Sequence, residues 1–222
     1  MKGLACIAII AFCYMELVKA DPLKGGIPAT LPSLYIDQQG LVAGDHGDVE
    51  FLTCFAKQLQ QPIRWKSYPT ARLIEETHNN KIDIIFPMGF TQERRALLIE
   101  SQAVQEIEDY WVYKSALPDT SNKKISLGVK LGSPQDSYVQ RQGFKNILRH
   151  NDYSGLFNML LVGRVAVVAL PDVVYKSLIS RTDDSTIKFT PYLKRGYGFY
   201  LKPQSSAKFI RSANQATLNC RP

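Results

Sequence analysis

The chain has 222 residues, 45% of them hydrophobic and 21% charged, and a formal net charge of +7. That balance leans toward anionic ligands, but the charges are scattered, with no long basic run and no recognised nucleic-acid motif, so nucleic-acid binding is not expected. His46, His78 and His150 stand apart and no paired metal-ligand spacing occurs, so neither a metal nor a cofactor is expected.

In chain order, the first stretch is MKGLACIAIIAFCYMELVKA. Lys2 is a short positive start, Leu4 to Met15 is apolar but too short for a permanent span, and Val18-Lys19-Ala20 offers a small-residue cleavage site. Residues 1–20 therefore read as a signal peptide and the mature chain as exported. A lipoprotein cysteine at Cys13 fits poorly, because Phe12 is too bulky before it. No later stretch approaches transmembrane length, so the mature protein is expected to be soluble and unanchored; a monomer is expected as well.

Ile27 to Leu31 is a first strand candidate. GDVEFLTCFAKQL follows as a helix with Val49, Leu52, Phe55 and Leu59 on one face and Asp45 as N-cap. Ile63 to Lys66 reads as a second strand, Pro69 opens a helix through His78, and Ile82 to Phe86 is a third strand. IEDYWVYK, from Ile107 to Lys114, reads as extended and aromatic.

A second round then begins. ISLGVK is a strand, GSPQDSYVQRQG a turn into a helix, and FKNILRH another strand. Asp152 caps a helix carrying Leu156, Met159, Leu160 and Val162. VAVVAL is a buried strand, with a helix from about Pro171 to Ser180. IKFTPYL and YGFYL are strand-like, and a helix closes the chain after Ser205.

Strand and helix alternate in the manner of parallel α/β units. Two such rounds, joined by an extended aromatic segment and followed by more strand text, suggest two lobes. Residues 21–108 completed by 192–222 would form lobe 1, and 109–191 lobe 2, with a small-molecule cleft between them. Cys54 and Cys220 are the cysteines that remain after processing, and an even count in an oxidising compartment suggests one disulfide. Two buried free thiols are the alternative; a bridge would fit the layout, since both cysteines fall in lobe 1.

Three segments together resemble the bacterial extracellular solute-binding proteins of family 3, the periplasmic polar amino-acid-binding type of ABC transporters. "YPTARLIEETHNNKIDIIFPMGFTQERR" is similar to the family's Pro-x-x-Arg helix, Asp-containing strand and Thr-x-Glu-Arg segment. "LGVKLGSPQDSYVQRQGFKNI" and "DYSGLFNMLLVGRVAVVALPD" are similar to its strand–Gly-Ser/Thr–helix turn and its Leu-x-x-Gly-Arg strand. The resemblance covers nearly all of the mature chain. It implies an α/β, type II periplasmic-binding-protein fold with a two-strand hinge, a periplasmic location, a small anionic or zwitterionic ligand, an ABC permease as partner, and no catalysis.

The same resemblance nominates site residues. Arg94, in Thr91-Gln92-Glu93-Arg94, matches the arginine that grips a ligand carboxylate, a task suited to a planar guanidinium fork; a surface arginine on a first helical turn is the alternative. Arg95 reads as solvated. Ser133, in Gly132-Ser133-Pro134-Gln135, would supply a hydroxyl where a helix start favours an anion, or simply cap that helix. Pro134 has no N–H to add.

Arg72 lies on the Pro-x-x-Arg helix, where Thr70 replaces a frequent tryptophan, and a solvent-facing arginine is equally compatible. Tyr35 and Phe90 could wall the cleft, whereas Trp111 suits hinge packing. Counting from Gly163, the family's ammonium-pairing acid falls at Pro171, and Asp172 comes one residue late. An ammonium lacking its acid would be a costly buried charge. This weakens the assignment of an ordinary amino acid and leaves room for other small anions; Asp172 is a candidate ligand residue, with a helix-start residue favoured by the dipole as the alternative.

The function expected is capture of a small carboxylate-bearing solute, an amino acid or a related compound, in the interlobe cleft for ABC-transporter uptake. A sensory or accessory binding module is a second reading, although sensor versions usually carry membrane and signalling segments absent from a chain ending at Pro222. A dehydratase-like enzyme is a third, disfavoured because Glu93, Asp136 and Asp172 are better explained as helix-start residues.

Overall fold

A computed structural model describes residues 21–29, 34–43 and 47–221. Residues 1–20, read above as a signal peptide, lie outside the described part, as do the expected cap Asp45 and the side chain of Tyr35. The elements in order are β1 Leu23–Pro28, β2 Tyr35–Ile36, β3 Val42–Ala43, α1 Asp48–Leu59, β4 Ile63–Tyr68, α2 Thr70–His78, β5 Ile84–Gly89, α3 Gln92–Arg95 and β6 Ile99–Glu100. They continue with β7 Gln105–Lys114, β8 Leu127–Lys130, α4 Pro134–Arg141, β9 Ile147–His150, α5 Tyr153–Leu161, β10 Val167–Pro171, α6 Asp172–Ile179, β11 Ile187–Leu201 and α7 Ala207–Cys220.

Among the described residues one sheet runs β4-β1-β5-β11-β7-β10-β8-β9, with β6 alongside β11. Its two ends are parallel triplets, β4-β1-β5 and β10-β8-β9. Between them β11 pairs antiparallel with β5 on one side and with β7 on the other. The helices that connect parallel strands must cross a sheet face, so each triplet is covered on both sides. Four core clusters result.

Around β1, β4 and β5 the clusters centre on Phe55, Phe86 and Phe199 beneath α1 and α7, and on Leu73, Ile85 and Tyr200 beneath α2. Phe55 stacks on Phe199 with centroids 4.1 Å apart. In the other half the side chains of β7 alternate strictly: Tyr110 and Val112 join α5 and α6, while Trp111 and Tyr113 join α4. Cys54 of α1 and Cys220 of α7 form a disulfide with Cα atoms 5.8 Å apart, a separation within the usual range.

Several boundaries depart from the sequence reading. The first strand is Leu23–Pro28, starting four residues before Ile27, and it lies between β4 and β5; residues 30 and 31 of the expected Ile27 to Leu31 run lie outside the described part. Gly25-Gly26 reads as a breaker in one dimension. In the fold it brings Trp65 and Leu73 so near that an added Cβ would lie 2.4 Å from each. The third strand runs Ile84–Gly89 rather than from Ile82 to Phe86; Ile82 is buried before the strand starts. IKFTPYL and YGFYL are one strand of 15 residues, carried past Pro191 by pairing with β7 along its length. Val162 is no core residue: it caps the end of α5 and is 71% exposed.

Candidate functional site

The C-terminal end of β5 and the turn between β8 and α4 face each other across a cavity of about 140 Å³. Its wall includes Gly89, Arg94, Lys130, Ser133, Tyr153 and Arg195. Parallel strands expose their C-terminal ends where helices begin, and such crevices hold ligands in open α/β sheets.

Arg94 is placed by local chemistry. The Thr91 hydroxyl caps α3 by accepting the Arg94 N–H at 3.2 Å, while the Thr91 N–H donates to the Tyr200 hydroxyl at 3.0 Å. The guanidinium then spans the cavity edge: Nη1 donates to the Gly89 carbonyl at 2.6 Å and Nη2 to the Gly132 carbonyl at 3.1 Å. Only 6% of the residue is exposed. Burial, helped by the like charge of Arg195, pulls its pKa down to about 10, so it stays cationic at neutral pH. Its neighbour Arg95 faces solvent and pairs with Glu100 at 2.6 Å.

Ser133 caps α4, with its hydroxyl accepting the Asp136 N–H at 3.1 Å. The Asp136 carboxylate in turn accepts the Gly132 N–H at 3.1 Å, and the Ser133 N–H goes to the Lys130 carbonyl. Two backbone donors of this turn are therefore engaged within the protein, and Pro134 contributes none.

Behind the turn lies a buried network that sequence reasoning missed. Arg195 of β11 grips Asp109 of β7 with Nε at 2.7 Å and Nη2 at 3.0 Å. Asp109 is fully buried and also accepts from Gln135 Nε2 at 2.5 Å, and the Tyr153 hydroxyl donates to Gln135 Oε1 at 3.2 Å. The side chain of Arg195 is 9% exposed, and its Nη1 is buried with no hydrogen-bond partner among the described residues. Lys130 sits 5.1 Å above the Tyr153 ring; burial, then the charge of Arg94, depresses its pKa. Burial pushes the Tyr153 hydroxyl well above the usual tyrosine range, so it remains a neutral donor.

Arg72, Phe90 and Asp172 do not line this cavity, and the side chain of Tyr35 lies outside the described residues. Arg72 has a 61% exposed side chain, lies near Glu76 at 3.6 Å and covers the Tyr68 ring. Phe90 is core, edge-to-face with Tyr200 at 5.4 Å. Pro171 and Val173 line the cavity but Asp172 between them does not. The Asp172 carboxylate pairs with Lys176 at 3.4 Å, and its Oδ1 is buried with no partner among the described residues. Trp111 stacks on Tyr192 at 3.9 Å, packing the β7–β11 junction.

Neither a protein-family model nor a curated protein matches the sequence. Solved structures do match in shape. An ancestral arginine-binding protein bound to arginine is 21% identical with a TM-score of 0.72, covering 90% of this chain and 92% of that one. The arginine-, lysine-, histidine-binding protein ArtJ from Geobacillus stearothermophilus is 18% identical with a TM-score of 0.72, covering 89% and 88%. A histidine kinase sensor domain with similarity to periplasmic binding proteins is 13% identical with a TM-score of 0.75, covering 91% of each chain. At these identities the likeness is one of fold: two parallel triplets linked by the β7–β11 pair form the type II periplasmic-binding-protein architecture.

Proposed function

We propose that this chain is a periplasmic solute-binding protein of family 3, capturing a small carboxylate-bearing solute in the cavity around Arg94. The observation that carries the reading is Arg94 itself, a buried cation bonded to Gly89 at the end of β5 and to Gly132 just past the end of β8. Its remaining N–H groups can form a fork for a carboxylate. In this reading residues 21–108 with 192–222 and residues 109–191 are lobes that close about β7 and β11. Residues 1–20 are a cleavable signal peptide, and the loaded protein delivers its solute to an ABC permease. The role is binding without catalysis, which the named functions of the arginine-binding neighbours support.

A second reading is a sensory or accessory binding module, favoured by the likeness to a kinase sensor domain. Both readings need the same cleft. The test is calorimetric titration of the mature protein and of Arg94→Ala with a solute found by thermal shift. Removing one member of a buried charge-assisted contact costs about 2–5 kcal/mol, so affinity should fall by roughly 30-fold or more. Equal affinities would take Arg94 out of the site. Accumulation of the solute by cells carrying the gene, lost on its deletion, separates uptake from sensing.

A further inference from the structure

The parallel strands hand the cavity mostly apolar side chains at their C-terminal ends, where an open α/β sheet holds its ligand. Pro28 ends β1, Pro87 and Met88 lie near the end of β5, and Leu131 follows β8. Pro171 ends β10, and Val173 stands in the first turn of α6. Lys130, the last residue of β8, is the charged exception and sits 5.1 Å above the Tyr153 ring.

Several polar side chains of the wall already serve the protein. The Ser133 hydroxyl accepts the Asp136 N–H, the Tyr153 hydroxyl donates to Gln135, and Arg195 holds Asp109 through two bonds. Arg94 is buried and keeps N–H groups for a carboxylate. Leu131 and Val173, by contrast, are 54% and 52% exposed. The Arg94 guanidinium is thus deep in the wall, and these two apolar side chains stand toward solvent. A hydrocarbon chain laid over them gains about fourfold in affinity for each methylene it buries. A hydroxyl or amide in the same place gives up its bonds to water and receives none from those side chains.

We infer that the cavity selects a carboxylate with a short apolar body, its carboxylate on Arg94 and its hydrocarbon chain against Leu131 and Val173. This deepens the solute-binding reading and rests on it. The class includes the simple acid and the α-amino acid of the same body, since Asp172 beside the wall keeps Oδ1 buried without a partner among the described residues. A volume of about 140 Å³ holds roughly four or five waters at about 30 Å³ each, which suits a chain of a few carbons.

Titration calorimetry on the mature protein tests this with isovalerate, valine, threonine, succinate and arginine. The tighter of isovalerate and valine should bind at least about tenfold better than threonine, which puts a hydroxyl where valine has a methyl, and better than succinate or arginine by the same margin. Leu131→Gln combined with Val173→Thr changes two exposed side chains while nearly keeping their size, so the fold should persist with an unchanged melting temperature. That variant should cut the advantage over threonine to less than about threefold. Binding of threonine, succinate or arginine within about threefold of the apolar solute, or tighter, would overturn the inference and leave the solute-binding reading standing. An advantage that survives both substitutions in full would overturn the assignment to Leu131 and Val173. No binding by any compound, or Arg94→Ala with full affinity, would overturn the solute-binding reading and this inference with it.

Discussion

Gly89 ends β5 where the Arg195 guanidinium needs the space of a side chain. A Cβ at that position would lie 1.9 Å from Arg195 Nη1, 2.9 Å from its Cζ and 2.9 Å from Pro134 Cγ. The constraint is contact, since the backbone there is ordinary strand. A free arginine would swing aside at small cost, but this one is pinned by two bonds to a fully buried Asp109. Gly89→Ala must therefore loosen that pair or push β5 away from α4. Breaking a buried ion pair costs about 3–5 kcal/mol, and overpacking relieved by small shifts costs about 1–3 kcal/mol.

We expect Gly89→Ala to destabilise by about 2–4 kcal/mol, read as a lower urea midpoint at unchanged slope. Arg195→Lys supplies the control, because lysine keeps the charge and has no Nη1. In that background Gly89→Ala should cost less than about 1 kcal/mol, a coupling of about 2 kcal/mol between the two positions. Loss of less than about 0.5 kcal/mol in the wild-type background, or an equal loss in both backgrounds, would refute the argument.

Cys54→Ser with Cys220→Ser opens a loop of sequence separation 166, for which chain entropy predicts a loss of about 5 kcal/mol, measured by urea unfolding without reductant. Wild-type protein treated with reductant should shift to the same midpoint. Arg72→Ala should leave ligand affinity unchanged and stability within about 0.5 kcal/mol, because its pairing with Glu76 is on the surface. A calorimetric titration showing Arg72→Ala weakened by tenfold or so would bring that side chain back to the ligand.

The parts of the fold legible in sequence are those whose signals are local. α1 shows its apolar face over one turn and the next; α4 and α5 announce themselves through Ser133 and Asp152, whose side chains accept the N–H groups of Asp136 and Gly155. β8 and β10 are apolar runs buried on both faces. The errors have the opposite origin. Gly25 and Gly26 belong in a strand because Trp65 and Leu73 need the room, and neither neighbour is near in sequence. β11 stays continuous because its partner β7 runs beside it, carrying the strand through Lys194-Arg195-Gly196 between the two strand-like runs.

The cleft divides along the same line. Arg94 is nominated by the family resemblance of the short Thr91-Gln92-Glu93-Arg94 segment, and in the fold Thr91 caps its helix three residues earlier. Arg195 is not, since its meaning depends on register: Leu193 stands opposite Asp109 and Arg195 opposite Ile107, so Arg195 and Asp109 are diagonal neighbours 86 residues apart. That pairing also changes the charge argument. In sequence, the displacement of Asp172 removes one partner for a ligand ammonium and no more. In the fold Asp172 gives one carboxylate oxygen to Lys176 and keeps Oδ1 buried without a partner among the described residues, while Asp109 is engaged by Arg195. Around Arg94 the described wall then adds Lys130 and Arg195 but no acid.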